Sequence, residues 1–201
     1  KGKVVKLEGN PDQPHSQGRL CARGQSGLMT TYDPDRVLYP LVRALKQHGV
    51  ATEAVVGART RALLILEQEL LSVCDRVMPC TDDGSYGFKG FVTDRLKGRL
   101  EEAQDLDGIE VVAVGPMPMM RAVAALTAQY AVPTQVSLDP IMIDGTGMCG
   151  GCRVTIGGQV QFACVDGPFF DAHQVDFSEC VRRNKMYARE EKLLDAAEAR
   201  P

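Results

Sequence analysis

Asp144-Gly-Thr-Gly-Met-Cys-Gly-Gly-Cys-Arg-Val-Thr-Ile-Gly-Gly-Gln-Val-Gln-Phe-Ala-Cys164 gathers three of the chain's seven cysteines into one glycine-dense segment. Val154, Ile156, Val160 and Phe162 alternate with polar residues around Gly157-Gly158, the pattern of two strands joined by a two-residue turn. With the glycines as the turn, Cys152 faces Ala163 across the ladder, and Cys164 lies one residue past that partner. Backbone pairing alone therefore returns Cys164 to the Cys149/Cys152 pair.

Closely spaced thiolates repel one another and seldom cluster without a metal or a disulfide, while glycines let the backbone wrap closely and aim N–H groups at sulfur. Cys149, Cys152 and Cys164, with Asp144 at the head of the segment, read as ligands of an iron–sulfur cluster, which makes the chain an electron carrier. Two alternatives stay open: a structural zinc site of Cys3Asp type and a Cys149–Cys152 redox disulfide.

At 201 residues, 44% hydrophobic and 24% charged, the chain can bury a core and form one or two domains. A net charge of -3 argues against a nucleic-acid binder. No apolar run approaches the roughly 18 residues of a membrane span, and no signal-peptide pattern precedes the first strand-like segment. An odd number of cysteines without secretory features points to metal ligands and free thiols in a reducing, cytoplasmic setting. The chain opens on Lys1 rather than Met, as expected of a fragment or trimmed product.

Lys3-Val-Val-Lys-Leu-Glu8 alternates like a strand before Gly9-Asn-Pro-Asp breaks it, and the first 40 residues are turn-rich. From there helix and strand alternate. Leu41–His48 reads as a helix stopped by Gly49, Thr52–Gly57 as a strand, Arg61–Val73 as an amphipathic helix and Arg76–Cys80 as a strand. Gly90–Ala103 reads as a helix, Ile109–Val114 as a strand, Pro118–Tyr130 as a helix and Pro133–Leu138 as a last strand. Such alternation implies crossovers and a parallel sheet, half of a doubly wound α/β fold, with the hairpin module appended after Asp139-Pro140 and a charged helix from Asp176.

Open α/β sheets bind ligands beyond the carboxyl ends of their strands. Three loops lie there. Gly57-Ala-Arg59-Thr60 offers Arg59 to an adenosine ribose or its 2′-phosphate, Cys80-Thr-Asp82-Asp83-Gly84-Ser-Tyr-Gly87 follows the next strand, and Gly115-Pro116-Met-Pro-Met119-Met120 opens a helix whose N-terminus suits an anion or a nicotinamide edge. Each has a bland counterpart: a surface ion pair for Arg59, a turn and helix cap for Asp82, Asp83 and Gly84, and core positions for Met119 and Met120. Recurrence at consecutive strand ends favours a nucleotide site.

These stretches, with Leu63-Leu-Ile-Leu-Glu67 and Asp144–Cys152, resemble the C-terminal part of ferredoxin–NADP reductase-like flavoproteins. The resemblance is to the small subunit of NADH-dependent ferredoxin:NADP oxidoreductase, or sulfide dehydrogenase, a relative of the dihydroorotate dehydrogenase electron-transfer subunit. It runs from about residue 41 to the end, roughly four-fifths of the chain. It implies a [2Fe–2S] cluster on Asp144, Cys149, Cys152 and Cys164, with aspartate in place of a fourth cysteine and a correspondingly altered potential. It also implies an NAD(P) site at Gly57, Arg59, Asp82, Asp83, Gly84, Gly115, Pro116, Met119 and Met120.

Val5–Asp12, Gly18–Gly27 around Cys21, and Tyr32–Pro40 resemble instead the N-terminal [4Fe–4S] region of molybdopterin oxidoreductases such as formate dehydrogenase. Three upstream cysteines of that pattern are absent, so Cys21 reads as a free thiol. Three parts are expected: 1–40 of this second type, 41–140 a partial NAD(P)-binding domain, and 141–201 the cluster module with a C-terminal helix. The flavin-binding barrel and the first strand with its phosphate loop are not in the segment.

In the intact family, electrons pass from NAD(P)H to FAD and singly through the cluster to a large flavin/iron–sulfur partner subunit, with ferredoxin a further partner. The chain is therefore expected to be an electron-transfer subunit or fragment, without independent turnover in the absence of its flavin domain. The alternatives are a zinc-stabilised interaction module with a vestigial nucleotide site and a piece of a molybdopterin-dependent dehydrogenase.

Overall fold

The structure is a computed structural model that describes residues 45–185 apart from 47 and 66. The strand read at Lys3–Glu8, Cys21 and the tail beyond Lys185 lie outside the described residues. Those residues fall into two compact units that divide between Ile109 and Glu110. Each is taken by itself.

In residues 45–109, β1 (Glu53–Ala58) pairs in parallel with β2 (Arg76–Thr81), which pairs in parallel with the two-residue β3 (Phe88–Lys89). Gly49 has φ +75°, and its N–H donates to the Lys46 carbonyl, the helix stop expected of that glycine. A carboxylate sets the approach to β1: Thr52 N–H donates to Asp75 Oδ2 at 2.8 Å, and Asp75 N–H donates back to the Thr52 carbonyl at 2.8 Å.

The helix read over Arg61–Val73 is broken. A 3₁₀ turn, Arg61–Leu63, ends at an extended Leu64, and only Glu67–Val73 is α-helical (α1). The loop after β2 explains the break. Ser85 Oγ accepts the Arg61 N–H at 2.9 Å, the Arg61 guanidinium lies 4.4 Å from the centroid of the Tyr86 ring, and the Tyr86 hydroxyl donates to Glu67 at 2.6 Å. Three contacts from one loop outweigh the local helical pattern.

Helix α2 (Val92–Glu102) starts where Asp94 reaches back to accept the Phe91 N–H at 3.0 Å. Its Arg99 makes a two-pronged contact with Glu53 on β1, at 2.6 and 2.8 Å. Buried Leu100, Met78, Cys80 and Val73 form the core beneath.

In residues 110–185, β4 (Val111–Ala113) and β5 (Thr134–Ser137) are parallel, connected by α3 (Met117–Gln129). Pro118 sits in the first turn of α3, where its missing N–H removes no helical bond. Buried Met120, Val123, Val136 and Leu138 fill this core. The Gly157-Gly158 hairpin forms as read: β6 (Arg153–Ile156) pairs antiparallel with β7 (Gln159–Phe162), and both turn glycines have positive φ, +57° and +79°.

Strand β8 (Phe169–Asp171) has no counterpart in the sequence reading. It pairs antiparallel with β5 and so, among the described residues, adds a third strand to the parallel β4–β5 pair. Residues 110–140 share a compact unit with the hairpin. A 3₁₀ turn (Ala172–Gln174) and α4 (Phe177–Asn184) follow, α4 capped by Asp176 Oδ1, which accepts the Ser178 and Glu179 N–H groups. No described helix is long and apolar enough to cross a membrane.

Leu138 is 1% exposed, so Leu138→Ala should cost about 2–5 kcal/mol in urea unfolding. The Arg99 guanidinium holds Glu53 below the usual carboxylate range. A carboxylate shifted that way adds stability above its unfolded pKa and loses it as pH falls through the lower folded value. Glu53→Gln should therefore cost at most about 1 kcal/mol at neutral pH, and the difference should vanish in acid below the ordinary glutamate range.

Candidate functional site

The cluster segment is held by a carboxylate at its head and by the hairpin at its tail. Asp144 Oδ1 accepts the Thr146 N–H and Oδ2 the Cys149 N–H, each at 2.8 Å, which fastens the loop that carries the first thiol. The Thr146 N–H first, with that of Cys149, keeps the Asp144 carboxyl below its ordinary range. Gly145, Gly147 and Gly150 take positive φ in this loop, a conformation open to glycine with little strain. The Gly151 N–H points at Cys149 Sγ, 3.3 Å away, so a backbone amide does face sulfur.

The register bears out the pairing: Arg153 opposes Phe162, and the Ala163 N–H donates to the Cys152 carbonyl at 3.1 Å. Cys152 and Cys164 are buried, Cys149 is exposed, and none of the three is in a disulfide. Among the described residues, no three His, Cys, Asp or Glu side chains are grouped closely enough to hold a metal ion. The hairpin thus sets Cys152 and Cys164 at neighbouring register positions, while Cys149 stays on its loop. Three thiols, a carboxylate and an amide aimed at sulfur are a donor set whose chemistry fits an iron–sulfur cluster.

Helix α4 grips this hairpin. The Ile156–Val175 bridge, the Gly157 N–H to the Gln174 carbonyl at 2.8 Å and the Asp176 N–H to the Thr155 carbonyl at 2.9 Å join the strands to the helix entry. Thr155 Oγ1 donates to Glu179 at 2.6 Å, and Arg183 Nη2 donates to the Gly151 carbonyl at 2.8 Å, inside the Cys149–Cys152 loop. The sequence reading passed over Arg183. It lay in a charged run with nothing to mark its long-range contact.

The residues singled out for a nucleotide divide between the two units. Gly57 lies inside β1, Arg59 is exposed just past its end, and Asp82, Asp83 and Gly84 form the turn after β2. Asp83 Oδ1 accepts both the N–H and the hydroxyl of Ser85, the latter at 2.6 Å, and the Ser85 hydroxyl first holds that carboxyl below its usual range. Asp83 therefore has the turn-forming role weighed for it. Ser85, Tyr86, Arg61 and Glu67 join this polar cluster, of which all but Arg61 stood in a recognised stretch. In the other unit Gly115 has φ +155°, Pro116 caps α3, Met119 is half-buried, and Met120 is fully buried in the core. A hollow of about 600 Å³ lined by Glu110, Pro133, Gln135, Asp171 and His173 contains none of the expected site residues.

Residues 139–176 match the iron–sulfur cluster binding domain of dihydroorotate dehydrogenase B, a span that includes all four expected ligands. Residues 1–33 match the molybdopterin oxidoreductase Fe4S4 domain. The dihydroorotate dehydrogenase B (NAD(+)) electron transfer subunit homolog of Thermotoga maritima is 42% identical over 192 residues, covering 94% of this chain and 64% of that protein. The chain is similar to part of that subunit.

An uncharacterised protein in an adh 3′ region of Clostridium beijerinckii is 48% identical over 77% of this chain and 52% of its own length. A chain of the NADH-dependent reduced ferredoxin-NADP oxidoreductase structure, solved in connection with flavin-based electron bifurcation, superposes with a TM-score of 0.69 at 44% identity. That match covers 78% of this chain and 55% of the other. The chain thus spans between half and two-thirds of the length of these three proteins, and both resemblances read from the motifs, reductase-like and molybdopterin-like, are met.

Replacing Asp144 by Ala should expose the Thr146 and Cys149 amides to hydrogen exchange in the metal-free chain. In the wild type their protection should persist on acidification until the pH falls below the usual carboxylate range, because a depressed pKa delays loss of the charged acceptor.

Proposed function

We propose that this chain is the electron-transfer part of an NAD(P)H-dependent flavin and iron–sulfur oxidoreductase, with a [2Fe–2S] cluster held by Asp144, Cys149, Cys152 and Cys164. The observation that supports this reading is the hairpin register, which pairs Cys152 with Ala163, the residue before Cys164, in a segment matching an iron–sulfur cluster binding domain. A bound cluster supplies one-electron transfer, which a nicotinamide, a donor of electron pairs, cannot do without a flavin between them. That flavin would be bound by protein outside these 201 residues, in a further domain or a large partner subunit.

The chain's own residues prepare the electron's exit. Ile143, Met148 and Val165 around the segment are 66%, 89% and 58% exposed, an apolar surface beside exposed Cys149 that supports close approach of a partner protein. In residues 45–109 the loop after β1 carries exposed Arg59, a cation suited to a ribose or its phosphate; in residues 110–185, taken by itself, the Gly115–Pro116 turn leads into the N-terminus of α3, which suits an anion. Arg61, stacked on Tyr86, adds a second cation next to the Asp82–Gly84 turn.

Anaerobic reconstitution with iron and sulfide tests the reading. The product should absorb in the visible and give a paramagnetic signal on reduction, whereas uptake of zinc with no absorbance would sink it. Cys152→Ser and Cys164→Ser should each cut cluster content severely, and Asp144→Cys should retain the cluster with a shifted midpoint potential. Calorimetric titration with NAD(H) and NADP(H) should show binding that weakens in Arg59→Ala.

A further inference from the structure

We propose that Arg183 is a positioning residue that sets the reduction potential of the cluster, holding the Cys149–Cys152 loop through one guanidinium nitrogen and supplying a buried N–H donor to the cluster's sulfur through another. The inference rests on the cluster reading above and concerns a residue that reading leaves unused.

Three observations carry it. Arg183 stands at the C-terminal end of α4, and its Nη2 donates to the Gly151 carbonyl at 2.8 Å, across 32 residues of sequence. Gly151 is the same residue whose N–H lies 3.3 Å from Cys149 Sγ, so the guanidinium fixes a residue already turned toward a ligand sulfur. The Arg183 Nε is buried and has no acceptor among the described residues.

An unpaired buried guanidinium N–H is costly, more so than an ordinary donor because it is charged. Such a cost is tolerated where an acceptor arrives with a bound group. The group expected here brings acceptors of the right kind, since thiolate and sulfide sulfurs accept N–H bonds. Those bonds and nearby charge are established levers on the potential of iron–sulfur centres.

The charges around the loop agree. The Glu179 carboxylate, the nearest acid on α4, is engaged by the Thr155 hydroxyl at 2.6 Å. Arg153, at the other edge of the loop, brings its guanidinium close to Gly150. Reduction adds a negative charge, so cations at the loop favour the reduced form and raise the midpoint. Removing one lowers it.

The test is a redox titration, followed by electron paramagnetic resonance, of the full chain reconstituted with iron and sulfide, in wild type, Arg183→Gln and Arg183→Lys. Iron and sulfide content is measured alongside. Arg183→Gln should move the midpoint to lower potential. Arg183→Lys, which keeps the charge but has no Nε–H, should move it less and in the same direction.

Equal midpoints in all three at equal iron and sulfide content would overturn the inference and leave the cluster reading standing. Failure of the wild type to take up iron and sulfide would overturn both. Should the glutamine variant not fold, as circular dichroism would show, the lysine variant decides alone: an unchanged midpoint refutes the role of the buried N–H.

Discussion

The antiparallel pairing of Arg153–Ile156 with Gln159–Phe162 is the constraint on which the candidate site depends. Side chains alternate across a strand, so a slip of one residue would turn Val154 and Ile156 out of the core. It would also replace Ala163 as the residue opposite Cys152. The two turn glycines, both with positive φ, admit only a tight connection and so prevent the slip. Position of the thiols, burial of the valine and isoleucine, and turn chemistry are three consequences of one ladder.

The ladder is itself held from outside. Strand β8 fastens the chain after the hairpin to β5, and the 3₁₀ turn that follows bonds back to Gly157 and Thr155 through its flanking backbone. Helix α4 then closes over the hairpin through Glu179 and Arg183. The reach is long in sequence and short in space. A site made of one contiguous segment thereby acquires its rigidity from elements some 20 to 30 residues further on, consistent with the rule that functional side chains need supporting contacts to hold their geometry.

What could be read from the sequence was whatever local pattern dictates. The hairpin, its register, β1, β2 and the helix of Met117–Gln129 all follow from periodicity and turn residues. Arg61–Val73 did not form one helix because Ser85 and Tyr86, from a loop more than a dozen residues away, engage Arg61 and Glu67 and leave Leu64 extended. Strand β8 has only three residues and no alternation long enough to register, so its pairing with β5 had no local sign. Arg183 was hidden for a related reason. An arginine in a charged run looks solvated until the fold brings a carbonyl to it. Met120 shows the opposite case, where a residue in a recognisable motif serves the core.

Asp144 already accepts two backbone N–H groups with its two oxygens. Each carboxylate oxygen keeps a second lone pair, so these bonds do not forbid coordination. The six residues from Asp144 to Cys149 are closed into a turn by the polypeptide's own hydrogen bonds, which offset the entropy of ordering that turn. A loop held in this way takes its shape from its own carboxylate, so one side chain at its head governs where the first thiol stands.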